Sequence, residues 1–228
     1  MAMLTGGLVA APFVAEAQQA AKVARIGYLS AGSPPITPHL LEAFLQGLRE
    51  LGYVEGRNVV IEYRDAEGKL ERLPALAAEL VALKVDVIVT VATRHALAAK
   101  QATRTIPIVF TSATDPVTDG LGISLARPGG NVTGLSNLAP ELVGKCLEQL
   151  KQAIPGVTRV AALWQPGGLG ERTEKDMLKG AEVAARALGV RPQFIEAHGP
   201  ENFDRAFSDM TRARAGALTV LPSVTVLQ

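Results

Sequence analysis

Short, almost wholly apolar runs alternate along this chain with longer stretches whose apolar residues return every third or fourth position. The first pattern reads as strand and the second as one face of a helix. Residues 26–29 are the first predicted strand, followed by the loop Ser30-Ala-Gly-Ser-Pro-Pro35. Thr37 then stands as an N-cap before Pro38, and Leu40, Leu41, Phe44, Leu45, Leu48 and Leu51 keep helical spacing up to Gly52, a C-cap. Further strands are predicted over 58–63, 85–91 and 106–110. Helices between them are marked by Leu73, Leu76, Ala77, Leu80 and Val81, and by residues 94–103. A stretch rich in Gly, Pro, Ser, Thr and Asn, residues 111–139, holds one short strand near 132–135. The alternation then restarts, with helix 141–153, strand 159–164, helix 171–188, strand 191–196, helix 200–214 and strand 217–221.

Strands that are apolar throughout are buried on both faces, which calls for a parallel sheet covered by helices. Two successive series of such units predict an α/β protein of two Rossmann-like lobes with parallel sheets. Lobe one is expected over 24–135 and lobe two over 136–228, with the crossing in 111–139. The last strand has no helix after it, so the second lobe is expected to be truncated.

Composition narrows the class. Of 228 residues, 48% are hydrophobic and only 4% aromatic, so Ala, Leu and Val fill the core. A net charge of +1 without a Lys/Arg run argues against a nucleic-acid partner. The lone cysteine, Cys146, excludes an internal disulfide and a cysteine metal cluster. It shares a predicted helical face with Leu142, Val143, Leu147 and Leu150 and so reads as a core thiol.

Residues 1–17 read as a signal peptide, an apolar run over 4–14 ending in the small-x-small site Ala15-Glu16-Ala17. No Lys or Arg precedes that run, so either the natural start is expected upstream of Met1 or the run is a buried first helix. No segment approaches the ~20 apolar residues of a membrane span, and no cysteine adjoins the cleavage site to take a lipid. The expected product is exported and soluble, not lipid-anchored, and periplasmic where the cell has two membranes.

Open α/β sheets bind ligands where the carboxyl ends of their strands meet loops and helix N-termini. Here those loops are 30–35, 92–94, 111–115, 165–170 and 222–225, rich in hydroxyls and small residues and poor in ionisable groups. Such a lining suits capture of a carboxylate or other polar head without chemistry. Gln165-Pro-Gly-Gly-Leu-Gly170 matches neither the dinucleotide fingerprint nor the phosphate loop, so no cofactor is expected. Asp115, before Pro116, is either a partner for an ammonium group or a turn cap. Trp164 ends a strand at the cleft edge, where core packing and ligand stacking are both open to it. His39, His95 and His198 lack partners in sequence and read as surface residues. No Gly-x-Ser-x-Gly elbow or carboxylate–histidine cluster occurs, which argues against an enzyme. A secreted α/β enzyme and a receptor's ligand-sensing module are the alternatives.

Several segments together resemble one family. They are Arg25-Ile-Gly-Tyr-Leu-Ser30, Phe44-Leu-Gln-Gly-Leu-Arg-Glu-Leu-Gly-Tyr53 with Glu55-Gly-Arg-Asn58, Leu73-Pro-Ala-Leu-Ala-Ala-Glu-Leu80 and Val85-Asp-Val-Ile-Val89. Ala98-Ala-Lys-Gln-Ala-Thr103 with Ile106-Pro-Ile-Val109, Asp115-Pro-Val117 and Ser124-Leu-Ala-Arg-Pro-Gly-Gly-Asn-Val-Thr-Gly-Leu-Ser136 complete the set. The chain resembles ABC transporter substrate-binding proteins of the type I periplasmic binding fold, in the branch whose best-known members bind tryptophan, tyrosine or phenylalanine. The resemblance implies a monomer that clamps a small molecule, an aromatic amino acid favoured, and hands it to a membrane permease. It maps ligand contacts to Ser30, Thr93, Ser112 and Asp115 in lobe one, with Ser136 and Asn137 near the hinge. Trp164 and Ser223 would face them from lobe two.

Overall fold

The computed structural model describes residues 23–31, 38–127, 129–137 and 139–222. The signal segment, the Thr37 cap and Ser223 lie outside the described residues.

Two parallel sheets form among them. The first contains β1 (Ala24–Ser30), β2 (Val59–Asp65), β3 (Val87–Ala92), β4 (Ile108–Ala113) and β5 (Val132–Ser136) in the order β2-β1-β3-β4-β5. The second contains β6 (Arg159–Trp164), β7 (Arg191–Glu196) and β8 (Ala217–Val220) in the order β7-β6-β8. All pairings are parallel. Helices α1 (Pro38–Glu50), α2 (Leu73–Ala82) and α3 (Thr93–Ala102) accompany the first sheet. Helices α4 (Val143–Ala153), α5 (Glu171–Ala187) and α6 (Phe203–Arg212) accompany the second.

The apolar runs become strands because both of their faces are covered. On β1, Ile26 and Tyr28 pack with Phe44, Leu45 and Leu48 of α1, while Leu29 packs on the other face with Leu73, Leu76 and Leu80 of α2. Gly27 sits under Leu80, whose methyls would stand 3.0 Å from a Cβ there. Each fully buried Leu or Ile in this layer contributes about 1.5–3 kcal/mol. In the second sheet Val160 and Ala162 of β6 face α4 and α5, and Ala161 and Leu163 face α6.

α1 ends in a Schellman motif. The Tyr53 N–H donates to the Leu48 carbonyl at 2.8 Å and the Gly52 N–H to the Arg49 carbonyl at 2.9 Å, with Gly52 at φ +85°.

Three local expectations change. β4 runs on to Ala113, so Ser112 belongs to the strand rather than to a loop, beside a register irregularity between Phe110 and Ala113. Cys146 is exposed rather than a core thiol. The buried stripe of α4 is Val143 and Leu147, with Leu142 also left exposed, because residues 142 and 146 lie about 100° around the helix from their buried neighbours. His95 is buried, at 3% exposure, not a surface residue. Its position on α3 turns it into the lobe-one layer, next to buried Ala96.

Candidate ligand cleft

At the carboxyl edge of the first sheet, β3 runs without a loop into α3. The N-cap of α3 is Ala92, in extended conformation, and no side chain caps it. The helix therefore opens with main-chain N–H groups that no side chain among the described residues has claimed.

The hydroxyl-rich residues around this opening form one network. The Thr93 hydroxyl accepts the Thr114 N–H at 3.3 Å and lies 3.4 Å from the Thr114 hydroxyl. Ser136 donates to the Thr114 carbonyl at 3.4 Å, and the Asn137 amide donates to the Ser112 hydroxyl at 3.3 Å. The Asn137 N–H donates to the Ala113 carbonyl at 3.0 Å. Thr93, Ser112, Ser136 and Asn137 are thus brought together, at the ends of three adjacent strands. Thr93 is only 2% exposed, so α3 presents backbone to the cleft there, not this hydroxyl.

The other sequence-derived residues stand apart from that network. Ser30 donates a short hydrogen bond to Asp65 at the neighbouring end of β2. One oxygen of Asp115 accepts the Thr118 N–H at 2.9 Å, the turn-capping role. Trp164 packs against the lobe-two core that contains Val160 and Met177, and its buried indole N–H meets no acceptor.

Four residues that the sequence did not single out complete the site. Asp65 holds Ser30. Arg94, in the first turn of α3, reaches the second lobe, where its guanidinium stands 3.7 Å from a Cβ built on Gly167. Asp119, in the loop after β4, accepts two hydrogen bonds from Thr173 of α5, from the hydroxyl at 2.6 Å and the main-chain N–H at 3.2 Å. Strand-end position was the available signal for Asp65 and Arg94. Nothing local announces the Asp119–Thr173 pair.

Electrostatics follow from this packing. Burial pushes the Asp119 carboxyl above its ordinary value despite the two Thr173 hydrogen bonds; Asp115 adds to the push and Arg172 opposes it. Burial lowers His95 to about 4, so the ring is neutral at neutral pH. The Ala92 carbonyl and Asp65 pull the other way, but the carbonyl falls short of hydrogen-bond geometry and neither ring nitrogen has a partner. Among the described residues no group of three or more His, Cys, Asp or Glu is placed to hold a metal ion. No helix among them is long and apolar enough to cross a membrane.

Two parallel α/β sheets, linked by one crossing and facing each other through strand-end loops and helix N-termini, define the two-lobed binding-protein class. Residues 35–222 match the family described as ABC transporter substrate binding protein, and the chain belongs to that family. It is 33% identical over 137 residues to a tyrosine-binding protein of Clostridioides difficile (strain R20291), an alignment covering 60% of this chain and 39% of that protein. A conserved domain protein of Vibrio cholerae superposes with TM-score 0.74 at 30% identity, covering 86% of this chain and 64% of that one. An ABC domain of Streptococcus pneumonia in complex with L-Trp superposes with TM-score 0.72 at 28% identity, covering 89% of this chain and 66% of that one. The fold is thus that of the type I periplasmic binding proteins, and the chain spans about two thirds of the length of these structures.

Proposed function

We propose that this chain is the ligand-capturing part of an extracytoplasmic solute-binding protein that delivers a small zwitterion, an aromatic amino acid favoured, to an ABC permease. It works as a monomer and without catalysis. The observation that carries this reading is the uncapped first turn of α3, flanked by Arg94 and by the Thr93–Thr114–Ser136 network. Main-chain N–H groups at a helix start suit a carboxylate, and a guanidinium beside them adds charge. The unclaimed oxygen of Asp115 is available to an ammonium group. Residues 24–135 and 136–228 are the two lobes between which the ligand sits, with Ser30, Thr93, Ser112, Asp115, Ser136 and Asn137 on one side and Trp164 and Ser223 on the other.

The names of the relatives support the ligand class, since one is a tyrosine-binding protein and another is seen with L-Trp. The test is calorimetry with L-tyrosine, L-tryptophan, L-phenylalanine and L-leucine, and with L-phenylalaninamide as a control lacking the carboxylate. Aromatic amino acids should bind and the amide should not. Equal binding of amide and acid would remove the carboxylate site, and failure of all four acids would remove the ligand class.

A further inference from the structure

Two helices that open onto the cleft, α3 and α5, differ. α3 begins uncapped, whereas α5 begins at Gly170, which has no side chain, and its first turn is served by Asp119 from the other lobe. Thr173 is the third residue of α5, the position whose N–H a helix's own N-cap ordinarily satisfies. A carboxylate of lobe one thus performs that task across the cleft. Gly170 is what lets it approach, because a Cβ at that position would lie 2.1 Å from the Asp119 carboxyl carbon.

The loop carrying Asp119 is braced for this. Lys100 of α3 donates to the Gly120 and Leu121 carbonyls at 2.6 and 3.2 Å, and the Asp119 N–H donates to the Asp115 carbonyl at 3.1 Å. Leu121, two residues on, is buried at 1% exposure in the lobe-one core. A side chain on so fixed a base positions its partner instead of following it.

We propose that Asp119 is a specificity-determining positioning residue: it fills the anion-receptive start of α5 with the protein's own carboxylate, fastens lobe two to lobe one, and leaves the start of α3 to a ligand's carboxylate. Resting on the solute-binding reading above, this makes the ligand a monocarboxylate. A second anionic group on lobe two would compete with Asp119 for the same N–H.

The test needs no organic ligand, so its outcome is separate from that of the binding panel. Amide hydrogen exchange at Thr173 is measured in the unaltered chain and in Asp119→Ala, Asp119→Asn and Thr173→Val, each checked for folding by circular dichroism, with and without inorganic sulfate. Asp119→Ala should exchange at least tenfold faster at residue 173, and sulfate should restore protection there by taking the vacated position. The unaltered chain should be protected and indifferent to sulfate. Asp119→Asn, which keeps an acceptor of the same shape, should hold the amide without sulfate. Thr173→Val should retain the amide bond, a second folded form in which the cap is read. Small-angle scattering should show a larger radius of gyration for Asp119→Ala alone. Unchanged exchange in Asp119→Ala would overturn the contact, absence of sulfate rescue would overturn the resident-anion role, and an unchanged radius would overturn the fastening of the lobes.

Discussion

Gly134 of β5 lies so close to Phe110 of β4 that a Cβ built on it would stand 2.1 Å from the Phe110 carbonyl oxygen and 2.5 Å from the ring. The phenyl group folds across the edge strand in the space that a side chain would occupy, beside the register irregularity of β4.

Gly134→Ala should therefore destabilise lobe one by about 2–3 kcal/mol, in the range of overpacked cores. Gly180→Ala is the matched contrast. Gly180 is exposed in α5 with nothing within 4 Å of the added methyl, so it should gain about 0.5–1 kcal/mol from helix propensity. Denaturant midpoints at neutral pH measure both. Equal effects of the two changes would show that the close approach has no energetic weight.

Acid should weaken the fold through His95. Its folded value of about 4 lies below the ordinary 6.5, so between these limits the unfolded chain binds the extra proton. That contribution is complete above pH 6.5 and is lost as pH falls toward 4, up to roughly 3 kcal/mol. His95→Leu should flatten this part of a stability–pH profile, with denaturation followed by circular dichroism at several pH values. An unaltered slope would assign the acid sensitivity to other groups.

The Asp119 contact should also weaken in acid. Burial raises its carboxyl above the ordinary value, but the two hydrogen bonds from Thr173 pull the other way, so the contact itself favours the ionised form and should loosen as pH falls through the raised value. Asp115 and Arg172 are the charged groups that act on it. Thr173 amide exchange, corrected for the intrinsic pH dependence, should show this trend in the unaltered chain and none in Asp119→Asn. A trend that persists in Asp119→Asn would place the titrating group elsewhere.

Arg94→Gln should cost about tenfold in affinity for a carboxylate ligand, the loss of one charge-assisted hydrogen bond of about 1.5 kcal/mol. Calorimetry with L-phenylalanine and L-phenylalaninamide should show a loss for the acid only. Equal losses would give Arg94 a role in shaping lobe two through the Gly167 turn.

The strand runs were legible in the sequence because burial on both faces leaves a continuous apolar signature, as at Val87–Ala92. Helix starts were less so. The segments predicted to begin at 141 and 200 open with 3-10 turns over Ala139–Leu142 and Pro200–Asn202 before α4 and α6. The hydroxyl cluster was foreseen as a lining, but its bonds to Thr114 draw the Thr93 side chain out of the cleft, a matter of rotamer that spacing does not encode. Cys146 was misread because a helical stripe gives a direction only to within about one position, and His95 because a histidine without sequence partners was read as a surface residue. The Asp119–Thr173 pair joins residues 54 apart from two lobes, and no periodicity records such a meeting.

The placement of the aromatic residues has an optical consequence. Of the three tyrosines, Tyr28 and Tyr63 lie on the first sheet and Tyr53 just after α1, while the single tryptophan, Trp164, ends β6 in the second. The protein thus carries tyrosine emitters on one side of its hinge and one indole absorber on the other. Excitation transfer between them varies steeply with separation, so the ratio of tyrosine to tryptophan emission reads the gap between the halves in the unlabelled chain.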